Sequence, residues 1–213
     1  MQVQLHLIFT MRSFFLILPL ICLISCNPST TPKERVTEAS TIIAFGSCGD
    51  QNRPQPILEQ VAELKPDYFI YLGDNIYSDT YSMDTLRMNY AILGAKPEFK
   101  KLKSSTDVLA TWDDHDYGWN DSGRHYPFKE ESKRIFLDFF GVPDSTVLEH
   151  DGIYYSVFHN AGDKKIQIIF PDMRTFRDKL LPYNGNREND PRYDYTLDYS
   201  PYNTADSVIL GEA

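Results

Sequence analysis

Trp112-Asp113-Asp114-His115-Asp116-Tyr117-Gly118-Trp119-Asn120-Asp121 gathers four carboxylates, an imidazole and an amide around two tryptophans. Neighbouring carboxylates repel and raise one another's pKa, so such a cluster is unfavourable without a cation. A bound metal becomes the largest local charge and holds its ligands ionised. The stretch follows Val108-Leu109-Ala110-Thr111, an apolar run that predicts a buried strand entering a loop. Acidic and histidine side chains at the carboxyl end of a strand point to an active site rather than a solvated turn.

Moving outward, two more strands share that layout. Residues 41–45 form an apolar run that stops at Gly46-Ser47-Cys48-Gly49-Asp50, and residues 68–72 form another that stops at Gly73-Asp74. Between them, residues 56–64 carry Ile57, Leu58, Val61, Ala62 and Leu64 at helical spacing behind Pro56. Helical pieces follow at residues 83–93 and 97–102. Residues 128–140 predict an amphipathic helix stopped by Gly141 and Pro143. Residues 153–158 and 165–170 read as a strand pair joined through Asn160-Ala161-Gly162-Asp163. Strand and helix alternate, which predicts an α/β fold with parallel strands. In that arrangement the three strand-end clusters converge on one sheet edge.

The middle cluster, Gly73-Asp74-Asn75-Ile76-Tyr77, sets a carboxylate and a phenol three residues apart, within reach of one ion. Gly73 lets the backbone turn sharply beside a metal. A free phenol titrates near pH 10, so it binds as phenolate mainly to a strong Lewis acid such as Fe³⁺. His125 reads as a solvated loop residue, and His150 and His159 as structural or exposed. The Tyr-rich residues 183–202 read as a long irregular loop.

The amino terminus carries a different message. Arg12 precedes an apolar run over residues 14–24, too short to span a bilayer and right for a signal sequence. Leu23-Ile24-Ser25-Cys26 resembles the lipobox of bacterial lipoproteins, which implies cleavage before Cys26 and acylation of its thiol. Met11 is an alternative start. We therefore expect a signal over 1–25, a flexible tether over 26–40 rich in Pro, Ser, Thr, Lys and Glu, and one domain from 41. Of three cysteines, Cys22 leaves with the signal and Cys26 carries lipid, so Cys48 is the sole thiol of the domain. It is either a small buried hydrophobe or a ligand or nucleophile. The net charge of −9 argues against nucleic acid as a general partner. An anionic substrate would need a local multivalent cation.

Taken together, Phe45-Gly46-Ser47-Cys48, Gly73-Asp74-Asn75-Ile76-Tyr77, the Trp112–Asp121 stretch and Phe170-Pro171-Asp172-Met173-Arg174-Thr175-Phe176-Arg177 resemble the alkaline phosphatase D family of metallophosphoesterases. Gly73-Asp74-x-x-Tyr77 also matches the purple acid phosphatase pattern. The resemblance implies the N-terminal portion of an αββα sandwich that hydrolyses phosphate mono- or diesters with a metal-activated water. It implies Fe³⁺ on Cys48 and Tyr77, and Asp74 bridging to a second metal, calcium, that Asp114 also binds. Asn120 is a further candidate for that second shell of ligands. His115 would support the transition state and leaving group, and Arg174 would hold phosphate in bidentate fashion. Soft thiolate and phenolate suit iron, and carboxylate and amide oxygens suit calcium.

The family takes further ligands from a second half that follows a Leu-Gly-Glu helix start. Here Val208-Ile209-Leu210-Gly211-Glu212-Ala213 ends the chain, so the expectation is an apolar helix start and a fragment that is inactive or metal-poor alone. The implied setting is a bacterial cell envelope, with a lipid anchor in the membrane and a phosphate ester as substrate. A reading from another class is a non-catalytic lipoprotein that binds carbohydrate through exposed aromatics. The aromatic content of 14% allows it, but it accounts for neither Cys48 nor the acids placed after strands.

Overall fold

A computed structural model of the chain describes residues 40–142, 144–182, 199–200 and 207–210. Strands β1 (Ile43–Gly46), β2 (Tyr68–Leu72) and β3 (Asp107–Thr111) form a parallel sheet in the order β1-β2-β3. Helix α1 (Ile57–Leu64) links the first pair, and α2 (Met83–Ala95) with α3 (Pro97–Ser105) links the second. A one-turn helix α4 (Asp114–Tyr117) follows β3, and then comes α5 (Lys129–Phe140). All three strands therefore present their carboxyl ends at one edge, as their sequence order required.

Local chemistry fixes where the helices begin and end. Ser82 caps α2, its hydroxyl accepting the Thr85 amide at 3.3 Å. Pro97 opens α3 at a position where a missing N–H costs nothing. Gly141 closes α5 in the left-handed region, donating its N–H to the Leu137 carbonyl. The core lies between these helices and one sheet face. The Tyr71 ring sits 5.5 Å from Phe140 and 6.1 Å from Phe99, and Tyr90, Leu93, Leu102 and Phe136 are buried around them.

On the opposite sheet face Ile70 is buried as expected, but Phe45 is 69% exposed and Leu72 45% exposed, because the described helices cover the Phe69–Tyr71 side. β1 also begins at Ile43 rather than 41. The Ile42 N–H is taken by the Asp67 carboxylate at 2.8 Å, so Ile42 stands outside the strand and half-exposed.

An antiparallel hairpin of β4 (Tyr155–Ala161) and β5 (Lys164–Phe170) joins this unit. Its turn is two residues, Gly162-Asp163, tighter than the four-residue link that composition suggested. Tyr155 ties the hairpin to β3. Its hydroxyl donates to the Ala110 carbonyl at 2.9 Å and accepts the Ala110 amide at 3.2 Å. That phenol replaces a missing strand neighbour along β3. His159 follows the structural expectation, with its Nε2 3.0 Å from the Thr41 hydroxyl.

Short strands β6 (Leu181–Pro182) and β7 (Tyr199–Ser200) pair at the ends of the Tyr-rich stretch, whose interior lies outside the described residues. Residues 207–210 form no helix. The Val208 N–H donates to the Asp178 carboxylate at 2.8 Å and its C=O accepts the Asp178 N–H at 2.9 Å, and the residues that would continue a helix from there lie outside the described ones. The signal, Cys26 and the tether up to residue 39 lie outside the described residues. No described helix is long and apolar enough to cross a membrane.

Candidate metal centre

Three loops at the carboxyl edge of the sheet build the site, and backbone hydrogen bonds lock them together. The Cys48 N–H donates to the Gly73 carbonyl at 3.2 Å, and the Gly49 N–H to the Asp74 carbonyl at 2.8 Å. Buried Gln51 clamps Tyr77 from the β1 loop. Its amide nitrogen donates to the Tyr77 carbonyl at 2.9 Å, and its oxygen accepts the Tyr77 N–H at 2.8 Å. The Asn75 side chain donates to the Thr111 carbonyl at 2.9 Å, joining the β2 and β3 loops.

This scaffold brings most of the expected ligands together. Ligand atoms of Asp74, Asp114 and His115 lie within 4.8 Å of one another. The Cys48 thiol is 3.7 Å from Asp74 Oδ2, and the Tyr77 ring is 4.3 Å from the His115 ring. Asn120 joins this group only through its backbone N–H, which donates to Asp79 beside His115. It is exposed, with its side-chain amide donating to Asp121 at 2.8 Å.

The backbone is strained in the same place. Among the described residues, five non-glycine positions have positive φ: Cys48, Lys65, Asp74, Asp79 and Asp121. Lys65 merely ends α1 in the left-handed region. The other four sit in the site loops. Each such residue costs on the order of 1–2 kcal/mol, and strain of that kind gathers where function needs it.

The electrostatics call for a cation. Burial raises the Asp74 carboxyl above its ordinary range, and Asp114 and Asp113 push it further. Burial likewise raises the Tyr77 phenol, helped by Cys48 and Asp74. Burial also acts to raise Asp114, but the Asp121 amide, Arg174 and His115 outweigh it and hold it below the ordinary value. One oxygen of Asp74, Oδ1, is buried with no hydrogen-bond partner among the described residues. An unpaired buried carboxylate oxygen is expensive unless something positive meets it. The donor set of oxygens, an imidazole nitrogen, a thiol and a phenol therefore fits a bound metal.

Asp79 is a site residue that motif reading missed. Both its oxygens lie 2.9 Å from His115 Nδ1, and Oδ1 also accepts the Asn120 N–H at 2.7 Å. This grip fixes the ring through Nδ1. Nothing in Tyr77-Ser78-Asp79-Thr80 signals the role, because the partner is 36 residues away.

Arg174 reaches the site through a second missed residue, Asp172. That buried carboxylate accepts the Trp112 indole N–H at 3.1 Å and the amides of Arg174 at 2.8 Å and Ile153 at 2.9 Å. The guanidinium so placed is itself buried, bonded to Asp113 and 3.3 Å from Asp114. Arg177 lies beside it, donating to the carbonyls of Asp121 and Ser122. Two guanidinium groups thus border the acidic cluster from the chain segment after β5.

The fold has a solved counterpart. The structure of PhoD superposes with a TM-score of 0.57 at 15% identity, over 82% of this chain and 38% of that one. The likeness is one of fold, a mixed α/β arrangement with a parallel sheet. This chain spans 38% of the length of that structure. No family model and no curated protein matches it.

Proposed function

We propose that this chain carries the metal-binding half of a phosphate-ester hydrolase. The observation that carries the proposal is the convergence of Asp74, Asp114 and His115 within 4.8 Å, with an unpartnered buried oxygen on Asp74. The fold shared with PhoD supports it.

In this reading Cys48, Asp74 and Tyr77 would hold one cation, assigned as Fe³⁺, and Asp114 with Asp74 and Asn120 would hold a second, assigned as Ca²⁺. Such a pair supplies Lewis acidity and lowers the pKa of water near the ester. The residues of the chain do the rest. Asp79 holds Nδ1–H of His115, so a proton carried on Nε2 is aimed at the departing alkoxide. Arg174, buried beside Asp113 and Asp114, is placed to hold a phosphate oxygen in bidentate fashion. The lipid tether at Cys26 holds the enzyme at a bacterial envelope membrane.

The test is metal uptake followed by hydrolysis. Incubation with Fe³⁺ and Ca²⁺ should give bound metal and a visible band that shifts in Tyr77→Phe, with only weak cleavage of p-nitrophenyl phosphate or its diester by this chain alone. Asp74→Ala should lose both metal and cleavage. Metal uptake equal in wild type and Asp74→Ala would sink the assignment of this cluster.

A further inference from the structure

Asp116 lies directly behind the metal cluster and has no part in the chemistry described so far. Its side chain is fully buried. Oδ1 accepts the Asn75 N–H at 3.0 Å and the Tyr90 hydroxyl at 3.3 Å, and Oδ2 accepts the Asp113 N–H at 3.1 Å. Asn75 follows Asp74 in the β2 loop, and Asp113 precedes Asp114 in the β3 loop. One carboxylate thus grips the residues adjoining two ligands that come from different strands. Tyr90, buried on α2, anchors that carboxylate to the helical layer.

The two loops also touch directly. A Cβ placed on Gly73 would lie 2.6 Å from Asp113 Cβ and 2.8 Å from Asp113 N. The spacing of the loops is therefore set by contact on one side of Asp74 and by shared hydrogen bonds on the other. A carboxylate with three donors suits this task, since each oxygen can serve a different loop. An amide cannot, because its NH₂ end would face a backbone N–H.

We propose that Asp116 is a positioning residue that sets the distance between Asp74 and Asp114, and so the geometry of the metal centre. The proposal rests on the metal-centre reading above. Its effect passes through the backbone of Asn75 and Asp113, and the Asp116 side chain touches neither metal nor substrate.

The test uses Co²⁺ as a coloured probe of coordination. The whole chain is titrated with Co²⁺ and followed by visible absorption, and metal-free melts are recorded in parallel. Wild type should bind with a saturable spectrum. Folded Asp116→Asn should bind about 10-fold more weakly, the low end of what losing a ligand's direct outer partner costs, because Asp116 acts through the neighbouring backbone. Its absorption bands should also shift. A residue that only stabilised the fold would lower the melting temperature and leave the Kd and spectrum of the folded protein unchanged, and that result overturns the proposal.

If Asp116→Asn melts without a cooperative transition, Tyr90→Phe removes one donor at constant shape. It should weaken Co²⁺ binding in the same direction by a smaller factor, and wild-type Kd and bands in that variant overturn the proposal equally. Failure of wild type to bind Co²⁺ at all removes the metal centre and the proposal together. Binding by wild type with no change in either variant removes the positioning role alone.

Discussion

Gly73→Ala should be among the most damaging single-methyl changes in the protein, and its cost divides into two separable parts. The first is conformational. Gly73 has φ +106°, outside the range that L side chains adopt without penalty. A left-handed conformation costs an L residue about 1–2 kcal/mol. The second is steric. The new Cβ would lie 2.6 Å from Asp113 Cβ, 2.8 Å from Asp113 N and 3.0 Å from the Trp112 carbonyl carbon. Carbon atoms prefer about 3.5–4.0 Å, so the loops must part by roughly 1 Å. Two of the three atoms are backbone and cannot rotate aside. Overpacking of that kind costs about 1–3 kcal/mol, giving a total of about 2–5 kcal/mol.

Gly141→Ala isolates the first part. It has φ +70° and nothing within 4 Å of its would-be Cβ, so about 1–2 kcal/mol is expected there. Urea titration of the metal-free proteins, read by linear extrapolation, gives both values. Metal titration adds a second contrast. Parting Gly73 from Asp113 moves Asp74 relative to Asp114 and should weaken metal binding, whereas Gly141→Ala should leave it unchanged. If Gly73→Ala loses no more stability than Gly141→Ala, the close approach of the loops is refuted.

Cys48→Gly should stabilise the metal-free chain by about 0.5–1 kcal/mol, because it relieves a residue at φ +60° and gives back part of that gain as unfolded-chain entropy. The same change should reduce bound iron, and a loss of stability in urea would count against strain at this position. Asp79→Asn should lower the hydrolysis rate by about 100-fold with metal content unchanged, since it weakens the group that aims the His115 proton. The deficit should be smaller for p-nitrophenyl phosphate than for an alkyl phosphate, because a good leaving group needs less protonation; equal deficits would place Asp79 elsewhere in the mechanism. Glu98 is held below its ordinary pKa by the Gln55 N–H at 2.9 Å. A depressed carboxyl contributes stability above its unfolded pKa and loses it as pH falls through the folded one. Glu98→Gln should therefore lower the thermal midpoint at neutral pH and converge with wild type as pH falls through the depressed folded pKa, and a constant gap across pH would contradict the assignment.

The strand ends were legible because each cluster sits immediately after an apolar run. Cys48, Asp74 and Asp114 need no tertiary information beyond parallel order, which short strand–helix–strand spacing supplies. Burial was less legible. Residues 41–45 and 68–72 are apolar on both faces, and that pattern is the same whatever covers the face carrying Phe45 and Leu72. Gln51 and Asp79 were invisible for another reason. Each acts on a partner 26 or 36 residues away, and a lone amide or acid in a loop carries no spacing to read.

The acidic stretch shows most clearly what position adds to composition. Its four aspartates are alike in the sequence and have four different tasks in the fold. Asp113 is extended ahead of α4 and bonds Arg174. Asp114, at the first position of that helix, turns to Asp74 and His115. Asp116, two residues on, points inward to the Asn75 and Asp113 amides. Asp121 lies beyond the turn and accepts from Asn120 and Tyr199. A helix turns by about 100° per residue, which parts Asp114 from Asp116, while Asp113 and Asp114 both also meet Arg174. The repulsion that made the cluster a metal candidate is thus partly resolved by geometry before any cation arrives. What remains unbalanced is Asp74, raised in pKa and with one oxygen unpartnered, and that is where the charge of a metal has most to compensate.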